Sequence, residues 1–373
     1  MIKVDIKLDK LFNWFVNMPG ALSKYRLSSS ERIPLKHSDF LEDVDLNLDS
    51  ATGGWPYGQQ SLRRAVVETQ KYKLTEDEIM ITTGTNEANY LTIATLINPG
   101  DEVILEMPSW NQPHVLCEAM RAKIKIIKRK EENEWKFDLD QLNELCSRNT
   151  KLLYICNPNN PTGSVFSDGD MQRICEILHD YGIHLLCDEV YRGIEWGVPL
   201  SPATVNYYEK AVSTASVSKT LGLVGLRIGW MATQDKELRY KCMLLRNNVT
   251  EATNYLGEYI ATIALQPEKF RKIIDAGKEH AKGNLKVVSN WISKNNVFSW
   301  VPPEGGFLCL PRYNLDVGSW EFCKKLRTEY GTDLIPGICY DEEYHVRLGF
   351  CRVSKEIIEK GLERVNDFVK ALR

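Results

Sequence analysis

The sequence lacks a long apolar run, a C-x-x-C pair and a block of basic residues. Without about 18 consecutive apolar residues, we expect no membrane-spanning helix and no membrane partner. The first 20 residues also lack the apolar stretch of a secretory signal. The ten cysteines are scattered, and Cys156 and Cys187 lie within apolar stretches, so we expect buried free thiols and no metal site. Together these absences predict a cytoplasmic protein.

The charge is nearly balanced, since 47 lysine and arginine residues face 50 aspartate and glutamate residues. The formal net charge of −3 and the absence of a basic cluster predict that nucleic acid is not a partner. The chain has 373 residues, 43% of them hydrophobic, which is enough for a large core and more than one domain.

Strand-like and helix-like patterns alternate between residues 58 and 275. Seven short apolar runs predict strands at 78–83, 102–107, 123–128, 152–156, 183–187, 211–216 and 227–233. Helix-like stretches at 86–97, 138–147 and 168–181 lie between them. Such alternation is typical of an α/β fold with a mostly parallel sheet covered by helices on both faces.

The pattern changes towards the C-terminus. It turns helical after residue 234, and strand-like runs return from residue 296 in "VFSWVP", "GFLCLP" and "HVRLGF". We therefore expect a large domain over 41–275. Residues 1–40 and 276–373 would form a smaller α+β domain.

Polar segments follow five of the predicted strands directly. They read "GTNEA", "PSW", "NPNNPTG", "DEVY" and "VSKT". In an open parallel sheet, ligands bind at the carboxyl ends of the strands. Because these five ends meet at one edge, they predict a single binding site there.

One group of residues fits a phosphate. The glycine turn at Gly84 leads into a predicted helix, whose first backbone N–H groups, at Thr85 and Asn86, would stabilise an anion. Ser216, Ser218 and Arg227 add hydroxyls and a fixed positive charge. A capped helix alone would explain the first stretch, but three stretches at one edge favour an anion site.

A second group fits a flat heteroaromatic ring. A carboxylate could keep a ring nitrogen protonated, an indole could stack on the ring, and a phenol and an amide could reach a ring oxygen. The residues in these four positions are Asp188, Trp110, Tyr191 and Asn160. Each has a structural alternative when taken alone: a helix cap, a buried core tryptophan, simple packing and a proline turn.

Lys219 lies in a small, weakly charged loop, where a reactive amine is more plausible than a solubilising charge. An amine, a phosphate site, an acid for a ring nitrogen and a stacking residue are what pyridoxal 5'-phosphate requires. The residues therefore predict this cofactor, with Lys219 as the amine of a Schiff base.

At these residues the chain resembles the class I/II aminotransferases of the fold-type I pyridoxal-phosphate enzymes. "SVSKTLGLVGLRIGW" carries a lysine with an arginine eight residues later, "NNPTG" matches a family motif, and "DEVY" stands 31 residues before the lysine. "YHVRLGF" resembles the motif that carries the substrate-carboxylate arginine, here Arg347.

The resemblance implies a homodimer that acts on an amino acid and a 2-oxo acid. It also implies that Lys219 acts as a general base and that Asp188 keeps the ring charged, so that the ring serves as an electron sink. Asn160 would contact the substrate beside Arg347. Tyr191 would assist at the phenolic oxygen.

Two segments depart from the family pattern. Where the family often has a cross-subunit phosphate tyrosine, this chain has Gly53, and Tyr57 or Trp55 is the alternative. The N-terminal segment reads "YRLSSSERIPLKHSDF" in place of a glycine-rich turn, which predicts an atypical substrate pocket.

Three functions fit these motifs. The first is an aminotransferase. The second is another enzyme on the same scaffold, namely a C–S β-lyase, a decarboxylase or an oxidative amino-acid-modifying enzyme. The third is a ligand-sensing domain without catalysis, which is disfavoured because we expect no DNA-binding extension.

Overall fold

A seven-stranded sheet forms the centre of the protein in a computed structural model, which describes residues 6–17, 23–43 and 53–372. The strands of the described chain are β1 Tyr25–Arg26, β2 Ile79–Thr82, β3 Glu102–Met107, β4 Lys123–Lys128, β5 Thr150–Cys156, β6 His184–Asp188, β7 Ala211–Ser216, β8 Gly229–Ala232, β9 Phe298–Ser299, β10 Leu308–Cys309, β11 Arg312–Tyr313, β12 Thr332–Asp333, β13 Ile335–Pro336 and β14 Val346–Gly349.

Helices cover the sheet and build most of the C-terminal part. The α-helices are α1 Lys10–Asn17, α2 Gln60–Gln70, α3 Thr85–Leu96, α4 Gln112–Ala119, α5 Leu139–Leu145, α6 Asp168–Tyr181, α7 Lys236–Asn247, α8 Tyr255–Ala264, α9 Pro267–Ser293, α10 Ser319–Tyr330 and α11 Lys355–Leu372. Short 3₁₀ helices span His37–Asp43, Glu76–Glu78, Glu131–Asn133, Thr204–Asn206, Val224–Leu226 and Gly337–Tyr340.

The central sheet has the strand order β2-β8-β7-β6-β5-β3-β4. Strands β3 to β7 pair in parallel, whereas β8 pairs antiparallel with both β7 and β2. The prediction of a mostly parallel seven-stranded α/β sheet is confirmed. The predicted strand at 227–233 begins later, at Gly229, because Arg227 has a positive φ of 54° after the short helix Val224–Leu226.

Side chains alternate between the two faces of the sheet, and each face has its own apolar cluster. Ile79 and Ile81 of β2 pack into one cluster, whereas Met80 between them packs into the other. The second cluster contains Leu91 of α3 and Leu238 of α7, so helices cover this face. Because both faces are buried, inner strands such as β2 carry apolar side chains on both faces.

Strand β4 at the sheet edge is the exception. Its sequence "KIKIIK" places lysines along the strand, and Lys123 and Lys128 are exposed. Charged side chains on an edge strand discourage pairing with another chain. The edge position therefore explains why this run alternates while the inner strands do not.

The C-terminal part contains the three predicted strand-like runs, which are confirmed as β9, β10 and β14. β14 lies between β10 and β13 in an antiparallel sheet. The N-terminal segment joins this part because β1 pairs in parallel with β12. The division into two domains stays a prediction, and its boundary at residue 275 falls inside the single helix α9.

All ten cysteines are buried free thiols. Among the described residues, no helix has the length and apolar character needed to cross a bilayer. The histidine, cysteine, aspartate and glutamate side chains of the same ranges form no group of three that could hold a metal ion.

Candidate active site

A cleft opens at the carboxyl ends of the central strands, where the sequence predicts the site. It is lined by every predicted cofactor-binding residue except Gly84, together with Ser30, Cys156 and Val190. Residues that are up to 197 positions apart in the sequence, from Ser30 to Arg227, thus meet in one cavity. Gly84 lies directly behind it.

The first end of the cleft is suited to an anion. Helix α3 begins at Thr85, and the N-cap residue offers no side-chain acceptor to the first-turn N–H groups, which have no intrahelical acceptor in any α-helix. The hydroxyls of Thr85 and Ser218 are buried and have no hydrogen-bond partner among the described residues. Unpartnered buried hydroxyls beside a helix N-terminus fit the oxygens of a phosphate group.

Gly84 brings the helix start and Arg227 together. Its φ is +76°, and a Cβ atom added there would lie 2.5 Å from Nη2 of Arg227. Only glycine leaves room for this approach. The arginine supplies a fixed positive charge at the same end of the cleft, as the sequence predicts.

Asp188 ends strand β6 at the other side of the cleft. Its Oδ1 accepts a hydrogen bond from the backbone N–H of Val190 at 3.1 Å. Burial raises the pKa of Asp188 to about 7, while the hydrogen bonds from Val190 and Asn89 act in the opposite direction. A cationic ring nitrogen placed here would favour the ionised carboxylate.

Lys219 lies between these two ends. Its Nζ donates a hydrogen bond to Oγ of Ser30 at 2.9 Å and lies 3.5 Å from Oε2 of Glu31. Burial lowers the pKa of Lys219, as does the charge of Arg347, whereas Glu31 raises it. The net downward shift increases the fraction of neutral amine, which is the nucleophilic form.

The other residues predicted to contact a ring also lie in the cleft. Burial raises the pKa of the Tyr191 hydroxyl, so this group stays a hydrogen-bond donor across the physiological range. The Trp110 ring contacts Phe12 of α1 edge-on, with centroids 6.0 Å apart. Asn160 directs its Oδ1 towards Arg347, whose Nη1 donates to it at 3.2 Å.

A second cavity adjoins the cleft and shares Ser30, Trp110 and Lys219 with it. Arg347 lines this second cavity and not the first. The N-terminal segment lines another side of this cavity, for example with Arg26 of β1. The C-terminal part lines the rest, for example with Arg327 and Asp333. We call it the substrate cavity below.

Arg347 lies on β14 and is only 3% exposed. Besides Asn160, its guanidinium donates to Oη of Tyr340 at 2.5 Å and to the carbonyl oxygen of Ser28 at 2.8 Å. The Nε atom is buried and has no partner among the described residues. The arginine is therefore anchored and still has an unused donor beside the cavity.

Sequence reasoning missed several residues of the site. Ser30 and Glu31 were part of the atypical N-terminal segment but were not assigned to Lys219. Asn89 lies one helical turn after Thr85 on the same face of α3, and this spacing was the available signal. Trp55 and Tyr57 line a different surface pocket and do not reach the cleft formed by the described residues.

The sequence model of the family "Aminotransferase class I and II" matches residues 47–365. The chain belongs to this family. Its members depend on pyridoxal phosphate, so the predicted family, cofactor and enzyme type of this aminotransferase are confirmed.

Relatives of the aminotransferase share about a quarter of its residues. A probable aspartate aminotransferase of Methanocaldococcus jannaschii is 29% identical over 322 residues, which cover 84% of this chain and 83% of the relative. Nicotianamine aminotransferase A of Hordeum vulgare is 28% identical over 345 residues, which cover 88% and 74%.

Solved structures agree with the fold. A pyridoxal-phosphate-dependent aminotransferase from Streptococcus suis superimposes with a TM-score of 0.90 at 26% identity and covers 99% of both chains. The pyridoxal-phosphate-dependent cyclase OrfR has the same fold, with a TM-score of 0.88 at 24% identity and coverage of 97% of this chain and 96% of that one.

Proposed function

We propose that this aminotransferase moves an amino group between an L-amino acid and a 2-oxo acid, with Lys219 joined covalently to the cofactor aldehyde. The observation that carries the proposal is the arrangement of one cleft, in which the partly buried amine of Lys219 lies between an anion site and the buried carboxylate of Asp188. When bound, pyridoxal phosphate serves as the electron sink for the substrate carbon.

Each wall of the cleft has one task. Lys219 holds the cofactor and, once released by substrate, accepts the proton from the substrate Cα at its Nζ. Asp188 keeps the ring nitrogen protonated, Tyr191 and Asn160 donate to the phenolic oxygen, and Trp110 stacks on the ring. The phosphate group is bound by the residues at the anion end, namely Gly84, Thr85, Asn86, Ser216, Ser218 and Arg227.

The substrate cavity is where the amino acid binds in this proposal. Arg347 holds the α-carboxylate of the amino acid there, with Asn160 beside it. A guanidinium presents two parallel N–H groups to a carboxylate and so orients the Cα–H bond towards the cleft.

A second candidate is another pyridoxal-phosphate reaction on this scaffold: C–S β-lyase, decarboxylase or oxidative amino-acid chemistry. One relative supports this second candidate. Capreomycidine synthase of Streptomyces vinaceus is 26% identical over 290 residues and is named a synthase, whereas other relatives are named aminotransferases. The anion and ring contacts would be the same for every one of these reactions.

A screen of amino acids, read at the absorption band of the bound cofactor, separates the candidates. We expect the purified protein to be yellow, and an active amino acid to convert the band to that of the aminated cofactor with release of a 2-oxo acid. Ammonia, sulfide or carbon dioxide as product, with the band returning unaided, would favour the second candidate. Borohydride should fix a pyridoxyl group on the Lys219 peptide, and a label on another lysine would contradict the proposed attachment.

We also propose a cytoplasmic homodimer whose active sites lie near the subunit interface. Several large apolar side chains are exposed on α7, on α8 and in the segments before α2 and α8; they include Trp55, Tyr240, Leu244, Val249 and Leu256. Exposed apolar groups at this density suit a contact with a second copy. Sedimentation of the cofactor-loaded protein should give a dimer, and an active monomer would contradict this proposal.

A further inference from the structure

Ser30 occupies a position between the two cavities. It is 6% exposed and lines both the cleft and the substrate cavity. Its hydroxyl accepts the hydrogen bond from Nζ of Lys219 at 2.9 Å. A glycine at position 30, as in a glycine-rich turn, would have no hydroxyl to accept the hydrogen bond from the Lys219 amine.

Glu31 supports the same contact from behind. Its Oε2 accepts a hydrogen bond from the backbone N–H of Ser30 at 3.2 Å and lies 3.5 Å from Nζ of Lys219. Arg352 forms an ion pair with the other carboxylate oxygen, which fixes the orientation of Glu31. Burial raises the pKa of Glu31, but the cations Lys219 and Arg352 together lower it by more than burial raises it. The net shift is downward, so the carboxylate is ionised at neutral pH.

We propose that Ser30 and Glu31 form a proton-holding pair for Lys219, in which the hydroxyl directs the released amine towards the substrate cavity and the carboxylate stabilises its protonated form. The inference rests on the proposed function, because it assumes that Lys219 is released during turnover. The proton that leaves the substrate Cα converts the amine to an ammonium group, which donates to Ser30 Oγ and is attracted by Glu31. Ser30 neither gains nor loses a proton overall.

Other charged groups face Lys219 from different elements and set the direction of the expected effects. Asp188 at the end of β6 favours the ammonium form, whereas Arg347 on β14 opposes it. Glu31 is the stronger of the two favourable groups. Removing its charge therefore shifts the balance towards the neutral amine.

The test uses the holoenzyme and two readouts. The first is the pH titration of the resting cofactor absorbance, which reports protonation of the Lys219 nitrogen without any substrate. Glu31→Gln should lower its midpoint by about one pH unit, and Ser30→Ala should lower it by less. The second is hydrogen exchange with solvent at Cα of the amino acid that responds best in the screen, which should slow about tenfold in Ser30→Ala with little change in KM.

Two further variants keep the test specific. Ser30→Thr retains the hydroxyl and should restore both readouts towards the original values. Ser28→Ala changes the same segment, but the Ser28 hydroxyl contacts Asp333 and not Lys219, so the titration midpoint should not move. If Glu31→Gln fails to fold after loss of the Arg352 ion pair, the Ser30→Ala and Ser30→Thr pair decides.

The failures are distinguishable. If Ser30→Ala leaves both the midpoint and the exchange rate unchanged while borohydride still labels Lys219, the proton-holding pair is wrong. If Ser28→Ala moves the midpoint as much as Ser30→Ala does, the effect comes from the segment and the inference is equally overturned. If borohydride does not label Lys219 in the unmodified protein, the proposed function fails instead.

Discussion

Asp188→Asn is expected to lower amino-group transfer by about 10²- to 10³-fold while the protein still folds and binds pyridoxal phosphate. Asparagine keeps an oxygen that can accept from the N–H of Val190, so the end of β6 should retain its geometry. It loses the negative charge, and a ring nitrogen beside it would no longer stay protonated. The measurement is kcat for the best substrate per mole of bound cofactor.

The pH dependence of stability gives an independent check on the same residue. Burial raises the pKa of Asp188 to about 7 in the cofactor-free protein, well above the usual aspartate value. A raised pKa means that the folded state prefers the protonated carboxyl. Stability contributed by this group is present at low pH and is lost as the pH rises towards and through 7. We expect Asp188→Asn to remove this loss, so the melting temperatures of the two cofactor-free proteins should diverge as the pH rises.

Glu189→Gln is the matched control, since it removes the neighbouring buried carboxylate. Glu189 points away from the cleft and accepts hydrogen bonds from Thr204 and Ser213. Its replacement should cost stability but leave turnover per bound cofactor close to normal. Near-normal turnover of Asp188→Asn, or an equal loss in Glu189→Gln, would contradict the role assigned to Asp188.

The central sheet could be predicted from the sequence because its strands are short apolar runs. Each of the seven runs overlaps a strand, and residues from the polar segments that follow five of them meet in one cleft. The rule that ligands bind at the carboxyl ends of parallel strands was sufficient for Thr85, Asp188 and Lys219. The direction of β8 was not predicted. Residues 217–228 join β7 to β8 and contain the short helix Val224–Leu226 but no α-helix of the kind that usually forms a parallel crossover.

The contacts that join distant segments were outside the reach of pattern reasoning. Ser30 reaches Lys219 because β1 pairs with β12, more than 300 residues along the chain, and no local periodicity records such a pairing. The hydrogen bond that Asn160 accepts from Arg347 agrees with the expectation that these two residues lie side by side, and the contact of Asn160 with a ring oxygen stays a prediction. The roles of individual residues, the domain boundaries and the dimer remain predictions.

Arg347→Lys is expected to lower kcat/KM for every amino acid substrate on the order of 10²-fold, with cofactor binding and colour retained. Lysine keeps the positive charge and loses the paired N–H groups that fix a carboxylate in one orientation. Since the Cα–H bond must point towards Lys219, a loosely held carboxylate slows proton removal as well as binding. The loss should therefore appear in kcat as well as in KM.

The structure also assigns anchoring contacts to Arg347, and these require a control. Its guanidinium binds Tyr340 and the carbonyl of Ser28, so the variant should melt at a somewhat lower temperature as well. Tyr340→Phe removes one anchoring contact and leaves the guanidinium in place. We expect Tyr340→Phe to share the loss of melting temperature but to change kcat/KM only a few-fold.

The comparison of substrates decides between the two roles of Arg347. An amine without a carboxylate offers nothing for the guanidinium to hold, so Arg347→Lys should process such amines as well as the unmodified enzyme does, however slowly. A purely structural arginine would instead impair amines and amino acids alike, in proportion to the loss of stability. One result would contradict the assignment: the unmodified enzyme uses amines as well as amino acids, and Arg347→Lys uses both normally. In that case the unused donor of Arg347 beside the substrate cavity would have no carboxylate to bind.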